Sequence, residues 1–298
     1  MIKKPNYVER KTIPEGNVTP HSPLINFAYL LGTVVLVSVL IFIALGFVAD
    51  WLAVRISPET ENKMGDMLYH TLSIEQEIHD EKRIEYLENL LNSLSDPTET
   101  PRLPLKIHLI DSDIVNAAIM VGGHVFIHTA LLEEVASENE LTFVLAHELG
   151  HFQNYDPSKS LGRSLVFIML SMALGIGTSQ SGGVPGIVHQ TEKLTGLSYS
   201  RKQEKRADFY GLSQTVSYYG HGGHCLDFFK RLKEGDGKTE HWAKVSSYFS
   251  SHPHSKERIT YLEQEAAENG WDMLGEAKPL PKWLHCPNME QCISDVED

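Results

Sequence analysis

Three residues in one short stretch have the types and spacing of a catalytic metal site. The segment from Leu141 to His151 reads LTFVLAHELGH, an apolar helical run that ends in His-Glu-x-x-His. Residues four apart lie one above the other on a helix, so His147 and His151 can direct their imidazoles at one cation. Glu148 then lies beside any water on that cation and can take its proton, because zinc lowers the pKa of such a water. The His-Glu-x-x-His pattern also arises by chance on surface helices, so the rest of the sequence must show whether it is a zinc site here.

Catalytic zinc needs a third protein ligand, and the sequence offers one downstream. A histidine six residues after His151 is excluded, because that position is Pro157. Glu204 lies in the predicted helix SRKQEKRAD, where it could also be an exposed glutamate paired with neighbouring cations. Asp208 is one turn further on the same face and can hydrogen-bond the free ring nitrogen of a ligand histidine. The small Ala207 lets a second helix approach closely.

A mainly helical domain with a small β-sheet is predicted around these residues. Strand-like alternation occurs in three segments, residues 103–110, 116–121 and 124–128. The last two are predicted to form a hairpin, since Gly122 and Gly123 between them suit a tight turn. Thr129 is the predicted N-cap of the helix after the sheet. Ser137 with Glu140 predicts a capping box that starts the His-Glu-x-x-His helix.

Charge and hydropathy favour a membrane protein and argue against nucleic acid as a partner. The 298 residues carry 39 acidic and 26 basic side chains, a net charge of −13, so no large basic patch is available to neutralise phosphates. Residues 24–49 contain no charge, and about 20 apolar residues span a lipid bilayer. This run predicts an uncleaved transmembrane helix, because a core helix is rarely so uniformly apolar and a signal peptide has a shorter apolar region.

Lysine and arginine positions predict the sidedness of this helix. The basic residues before the run are Lys3, Lys4, Arg10 and Lys11, and the nearest ones after it are Arg55 and Lys63. Basic residues favour the cytoplasmic side, so the N-terminus is expected in the cytoplasm and the rest of the chain outside. In a Gram-negative bacterium, outside means the periplasm.

Two features of the sequence leave alternatives open. Residues 165–177 are apolar but number only 13, which is short for a second span and more typical of a core helix, an interfacial segment or a hydrophobic hairpin. Cys286 and Cys292 could form a small disulfide loop in an oxidising compartment or remain free thiols. Cys225 is predicted to be a packed thiol.

Four motifs follow one another along residues 58–270. They are Asn116-Ala117-Ala118 with Gly122-Gly123, HELGH at 147–151, the segment Ser200 to Asp208, and Ser251-His252-Pro253-His254 before a helix. Together they resemble the membrane-associated gluzincin zinc metallopeptidases of the HtpX and CAAX prenyl protease type, the forty-eighth metallopeptidase family. Ile119 stands where that family usually has a second alanine. Relatives of the CAAX type have many spans and this chain has one clear span, so prenylated substrates are not carried over.

The resemblance implies a zincin-like fold, mainly α with a small β-sheet, and a role for each zinc-helix residue. One Zn²⁺ per chain is expected on His147, His151 and Glu204. Glu148 is expected to be the general base, and Asp208 is expected to orient a ligand histidine.

The other two motifs are expected to handle the substrate. Asn116, Ala117 and Ala118 would pair with an extended polypeptide by strand addition. His252 would stabilise the oxyanion of the tetrahedral intermediate, and Arg258 would hold its segment in place. Unfolded or damaged proteins are the substrates that the resemblance implies.

The sequence therefore predicts a membrane-anchored zinc metalloendopeptidase of protein quality control. The alternatives are a non-catalytic, zinc-containing chaperone or binding module and a zinc aminopeptidase. A structural zinc site does not need Glu148, and no acidic motif that would bind a substrate N-terminus precedes HELGH. The predicted organisation is a polar tail at 1–23, a transmembrane helix at 24–49, a helical lead-in at 50–101, a metallopeptidase domain at 102–270 and a tail at 271–298.

Overall fold

A computed structural model of the chain describes residues 22–72, 74, 76–94, 103–173, 199–234, 248, 252 and 256–285. The chain divides into two compact units, Met1–Ala44 and Leu45–Asp298. The predictions for the polar tail up to residue 21 and for the cysteine pair at 286 and 292 fall outside the described residues. Cys225 is a buried free thiol, as predicted.

The first helix, α1, extends from Pro23 to Ala53 and contains the whole of the predicted apolar run 24–49. It is the one helix of the described chain that is long and apolar enough to cross a membrane. Large apolar side chains cover it and are exposed on every face, for example Leu36, Leu40 and Phe47. Exposure of this kind is unfavourable in water and favourable in hydrocarbon, which supports a membrane protein.

The predicted helical lead-in consists of two helices with a short strand between them. These elements are α2 (Pro58–Leu72), β1 (Glu77–Ile78) and α3 (Glu81–Ser93). The helices agree with the prediction, whereas β1 is too short to show strand periodicity and was not predicted. Asp80 starts α3 by accepting a hydrogen bond from the Arg83 backbone N–H at 3.1 Å. The buried face of α3 contributes Leu87, Leu90 and Leu91 to the core.

Four strands form one sheet in the order β1-β2-β4-β3. The remaining strands are β2 (Lys106–Ile110), β3 (Ala117–Ile119) and β4 (His124–His128). β2 is parallel to β4, and β3 is antiparallel to β4, which confirms the predicted hairpin. Its turn, Val121–Gly123, has φ angles of 84° at Gly122 and 80° at Gly123, a backbone region that suits glycine. β3 is therefore an edge strand of this sheet.

Helices α4 (Thr129–Glu134) and α5 (Glu138–Gln153) follow the sheet. Thr129 is not an N-cap as predicted, because it begins the helix itself and its hydroxyl accepts from the Ser112 N–H at 3.1 Å. Ser137 is the N-cap of α5 and accepts from the Glu140 N–H at 3.3 Å, as predicted. The Glu140 carboxylate does not complete the capping box, since it accepts from the Ala136 N–H at 2.7 Å.

Helix α5 is buried along its length and packs on α7 (Arg201–Tyr219) through small residues. A Cβ atom added to Gly150 would lie 2.9 Å from Ala207 Cα, and one added to Gly211 would lie 3.1 Å from the backbone nitrogen of His147. The predicted close approach at Ala207 is therefore present. The other helices are α6 (Asp156–Ala173), α8 (Asp227–Glu234) and α9 (Lys256–Glu268).

Candidate metal centre and active site

Four buried side chains each present one potential ligand atom to a common point. They are His147 and His151 on α5, Glu204 on α7 and His252 before α9, with all four atoms within 4.8 Å of one another. The Nε2 atom of His147 lies 3.1 Å from His151 Nε2 and 3.2 Å from His252 Nδ1. Glu204 Oε1 lies 3.5 Å from His151 Nε2 and 3.3 Å from His252 Nδ1. Glu204 Oε2 lies 3.6 Å from His147 Nε2.

These separations fit a tetrahedral zinc site. Zinc bonds to nitrogen and oxygen are about 2.0–2.1 Å long, so the edges of the tetrahedron are about 3.3 Å. Glu204 Oε1 is buried and has no hydrogen-bond donor among the described residues. A set of imidazole nitrogens and a carboxylate that converge in this way matches the donor chemistry of Zn²⁺.

A carboxylate and an arginine lie behind each of the two α5 histidines. Asp208 Oδ1 lies 3.1 Å from His147 Nδ1. The Arg258 guanidinium donates to both oxygens of Asp208, at 2.6 and 2.8 Å. The predicted contact between Asp208 and a candidate ligand histidine is thus present in the structure. Arg258 also lies 2.8 Å from Glu204 Oε2 and donates to the His252 carbonyl at 3.4 Å.

Asp156, which sequence reasoning missed, occupies the matching place behind His151. Its Oδ2 lies 3.0 Å from His151 Nδ1, and Arg206 donates to its Oδ1 at 3.1 Å. Asp156 is fully buried. It begins α6, immediately before Pro157, and the change of chain direction after α5 returns its side chain to His151. An acidic residue five positions after the second histidine, beside a proline, is the signal that could have indicated it.

Glu148 lies between the ligand atoms and the edge strand. Burial raises the pKa of its carboxyl to about 7, with His252 opposing this shift and Glu204 adding to it. The Ile119 backbone N–H of β3 also donates to this carboxylate and opposes the rise. Glu148 Oε1 lies 3.3 Å from His252 Nε2. A base candidate therefore touches both the metal-facing cluster and the strand predicted to bind substrate.

The protonation of the cluster suits a cation. Burial lowers the pKa of His147 to about 4, which keeps its imidazole neutral. Burial alone would raise the pKa of Glu204, but the adjacent His151 and His252 imidazoles lower it strongly, so the carboxylate is ionised. Burial opposes protonation of His151, yet Asp156 and Glu204 raise its pKa overall. A neutral imidazole ligates metal, so cation binding displaces a proton there.

The comparison with protein families agrees with this geometry. The model of Peptidase family M48 matches residues 81–266, more than half of the chain. The chain belongs to peptidase family M48. This assignment accounts for the metallopeptidase motifs in the sequence and for the clustered His147, His151 and Glu204 together.

Several curated proteins are similar to this M48 chain. A beta-barrel assembly-enhancing protease of Yersinia pestis is 24% identical over 216 residues, which covers 69% of this chain and 43% of that protein. The human mitochondrial metalloendopeptidase OMA1 is 25% identical over 189 residues, 61% of this chain and 34% of that protein. The Escherichia coli metalloprotease LoiP is 25% identical over 191 residues, 62% of this chain and 71% of LoiP. The chain thus spans less than half the length of the first two relatives.

The three predicted substrate residues lie at and beside the edge strand of the M48 chain. Ala117 and Ala118 belong to β3, which pairs with β4 on one side. The Asn116 carbonyl accepts from the His128 N–H at 3.0 Å, just before the strand begins. The Asn116 side-chain oxygen is buried and has no hydrogen-bond partner among the described residues. This oxygen is therefore available to a ligand.

Two tyrosines that sequence reasoning also missed pack on the cluster. The Tyr199 ring stacks on His151 with centroids 3.9 Å apart, and the Tyr248 ring stacks on His252 at 4.9 Å. Burial raises the pKa of both phenols well above its usual range. Tyr199 lies outside regular helices and strands, just before α7, so no spacing pattern in the sequence points to it. The two tyrosines shield the two imidazoles from water on one face.

Proposed function

We propose that this M48 chain is a membrane-anchored, zinc-dependent metalloendopeptidase of protein quality control. The observation that supports this most directly is the tetrahedral spacing of the four ligand atoms, with Glu148 beside them. His147, His151 and Glu204 would hold one Zn²⁺. When bound, that ion polarises the scissile carbonyl and lowers the pKa of the attacking water.

Glu148 is the proposed general base and acid. It takes a proton from the attacking water as the water oxygen forms its bond to the carbonyl carbon. The same carboxyl then passes that proton to the amine nitrogen as the carbon–nitrogen bond breaks. Burial suits this exchange, because a carboxyl with a pKa of about 7 can both accept and release a proton near neutral pH.

Asp208 and Asp156 are proposed as positioning residues for the two α5 ligands. Asp156 accepts from the Nδ1–H of His151 at 3.0 Å, and Asp208 Oδ1 lies 3.1 Å from His147 Nδ1. A carboxylate beside Nδ1 favours the proton there, which leaves Nε2 unprotonated and directed at the cation. Arg258 and Arg206 neutralise the two buried carboxylates and fix their direction. In this arrangement the tautomer of each ligand is set before the metal binds.

Whether His252 binds the metal distinguishes a catalytic zinc site from a closed structural one. Its Nδ1 is one of the four candidate ligand atoms, and four protein ligands are typical of structural zinc, whereas catalytic zinc keeps an open position. This observation favours a non-catalytic binding module as the second candidate function. In the proposed enzyme, His252 instead leaves that position to water and stabilises the oxyanion from beside Glu148, with Nε2 3.3 Å from the carboxylate.

Polypeptides in extended conformation are the proposed substrates, and unfolded or damaged proteins meet that requirement. The support is that β3 has an unpaired edge in the described sheet and contacts Glu148 through the Ile119 N–H. A strand added at Asn116–Ile119 would bring its carbonyls towards the metal centre, and Asn116 would contribute its free side-chain oxygen.

The proposed membrane span determines on which side of the bilayer the peptidase domain lies. Residues 24–49 are proposed to cross the lipid bilayer once, with the N-terminus in the cytoplasm, ahead of a lead-in at 50–101 and a peptidase domain at 102–270. The basic residues before the span support this sidedness. Met67 on α2 is 64% exposed, so a cysteine placed there should react with an impermeant thiol reagent from outside the membrane. Labelling from the cytoplasm alone would contradict the orientation.

The test of the proposed function is cleavage of unfolded casein by the full chain in detergent. Activity should disappear on treatment with a zinc chelator and return with one equivalent of Zn²⁺. Free and N-acetylated peptides should be cut equally well, since an endopeptidase does not bind a free amino terminus. A chain that holds zinc but cuts no unfolded substrate would be the binding module, and a requirement for a free amino terminus would indicate an aminopeptidase.

A further inference from the structure

A second cluster of titratable side chains lies where α2 packs on the sheet, and it shares no residue with the metal centre. Its members are Asp66 and Tyr69 of α2, Glu77 of β1, Lys106 and His108 of β2, and His124 of β4. The two histidines are only 8% and 2% exposed. Buried imidazoles without a metal need another reason to be together.

The two imidazoles form the middle of a linear chain of four groups. Glu77 Oε1 lies 2.7 Å from His108 Nδ1. His108 Nε2 lies 2.9 Å from His124 Nδ1. His124 Nε2 lies 3.0 Å from Asp66 Oδ1. Among the described residues, these groups do not bring three ligand atoms to one point, so protons rather than a metal occupy the contacts.

Counting protons determines the charge of this chain. Each of the three contacts needs one proton between its two heavy atoms, because two facing lone pairs repel. Two neutral imidazoles supply only two N–H groups, so one contact would stay open. A third proton closes all three contacts, and a fourth would place two N–H groups face to face. The geometry is therefore satisfied by one imidazole and one imidazolium.

We propose that Glu77–His108–His124–Asp66 is a proton-operated latch that fastens α2 to the sheet. His108 carries the third proton, donates to Glu77 and His124, and leaves His124 neutral to donate to Asp66. Both imidazoles face a carboxylate, but Lys106 pairs with Asp66 and opposes a positive charge on His124, so His108 is the better place for the charge. Burial, Lys106 and His108 lower the pKa of His124 to about 4, which agrees with a neutral imidazole there.

All the groups around the latch are consistent with this state. Lys106 forms an ion pair with Asp66, and its hydrogen bond lowers the pKa of that carboxyl. Tyr69 donates to Glu77 at 2.6 Å and stacks on His108 at 4.3 Å. Asn62 of α2 donates to Asp66 at 3.1 Å and accepts from Lys106 at 2.9 Å. The Phe126 ring of β4 stacks on His108, and the exposed His70 and His79 lie on α2 and just after β1. With one imidazolium, two carboxylates and one lysine, the cluster is neutral.

The latch matters because α2 supports the hairpin that carries the edge strand. A Cβ atom added to Gly65 of α2 would lie 2.2 Å from the Val121 carbonyl, so the helix backbone rests directly on the hairpin turn. Glu61 of the same helix accepts from Ser158 Oγ at 2.7 Å, two residues from Asp156. Loosening α2 would therefore loosen β3, and alkaline pH should do so by removing the third proton.

Hydrogen exchange followed by mass spectrometry tests this in the full chain in detergent. The latch is closed where His108 is protonated, and it opens as the pH rises and the third proton is lost. After correction for intrinsic exchange rates, opening of residues 58–72 should increase about tenfold between about pH 6 and pH 8, the loss of one hydrogen bond to a charged group. His108→Gln cannot take the third proton and should remove this pH dependence.

His124→Gln separates the latch from a general loss of packing. Glutamine there can still accept from His108 and donate to Asp66, so the pH dependence should remain. His70→Gln, an exposed histidine of the same helix, should also leave it unchanged. The proposal is overturned if wild type shows no pH-dependent opening of α2, if His108→Gln retains it, or if His124→Gln abolishes it. If His108→Gln does not fold, the wild-type profile and the His124→Gln result still decide.

Discussion

Each of the two histidines on α5 has its own carboxylate and arginine behind it, one set from α7 and α9 and the other from α6 and α7. His147 is backed by Asp208, which sequence spacing indicates because it lies one turn after Glu204 on the same helix. His151 is backed by Asp156, which lies on a different helix from His151. The second contact depends on how the chain turns after α5, and no periodicity in the sequence reports that turn.

Asp156→Asn should weaken zinc binding about 10- to 100-fold. The amide keeps an acceptor for His151 but loses the charge that makes the imidazole a better ligand. Zinc transfer to a chromophoric chelator measures the change independently of activity. Asp227→Asn is the matched control, since Asp227 also contacts a histidine, His224, at 2.8 Å but on the surface. Equal zinc retention by the two variants would contradict the positioning role.

Some residues of the metal centre could be predicted from the sequence, and others could not. His147, Glu148, His151 and Glu204 follow from spacing on helices, because a helix fixes which side chains share a face. Tyr199 reaches the site from outside regular helices and strands, where no repeating pattern applies. The family resemblance implies that His252 stabilises the oxyanion, and the structure adds that its Nδ1 belongs to the candidate ligand set. Its catalytic role stays a prediction.

At the scale of elements, the site depends on the close contact of α5 with α7. Gly150→Ala would place a Cβ atom 2.9 Å from Ala207 Cα and 3.1 Å from the Ala207 carbonyl oxygen, both backbone atoms that cannot rotate away. Overpacking of this kind costs about 1–3 kcal/mol. The free energy of unfolding should fall by that amount in denaturant titration. Gly46→Ala, which has nothing within 4 Å, should change it little; equal effects would contradict this packing.

Most elements could be predicted because their patterns are local. The apolar run gives α1, the glycine pair gives the β3–β4 hairpin, and Ser137 gives the start of α5. Strand β1 has two residues and exists because it pairs with Ile110 and Leu109 of β2, a contact between distant parts of the sequence. Instead of completing the capping box, the Glu140 carboxylate accepts from the Ala136 N–H and from the guanidinium of Arg231, which is 91 residues away in the chain. Such tertiary partners override local capping rules.

The M48 chain contains an apolar helix that can cross a membrane and a candidate metal centre, with the edge strand β3 of the described sheet beside that centre. Its acidic charge, −13 over the full sequence, leaves polypeptide rather than nucleic acid as the proposed partner. The family match and the buried cluster of ligand atoms support one account. In it, residues on α5 and α7 hold zinc, the edge strand β3 pairs with the substrate, and α2 supports the hairpin that carries β3.

The most direct test of this account is the activity of Glu148→Gln in the full chain. Glutamine keeps the size of the side chain but cannot accept the proton of the attacking water. The account predicts that one zinc per chain is retained and that casein cleavage falls at least about 10²-fold, the lower end of the usual contribution of a general base. Retained zinc together with wild-type cleavage would contradict the proposed mechanism.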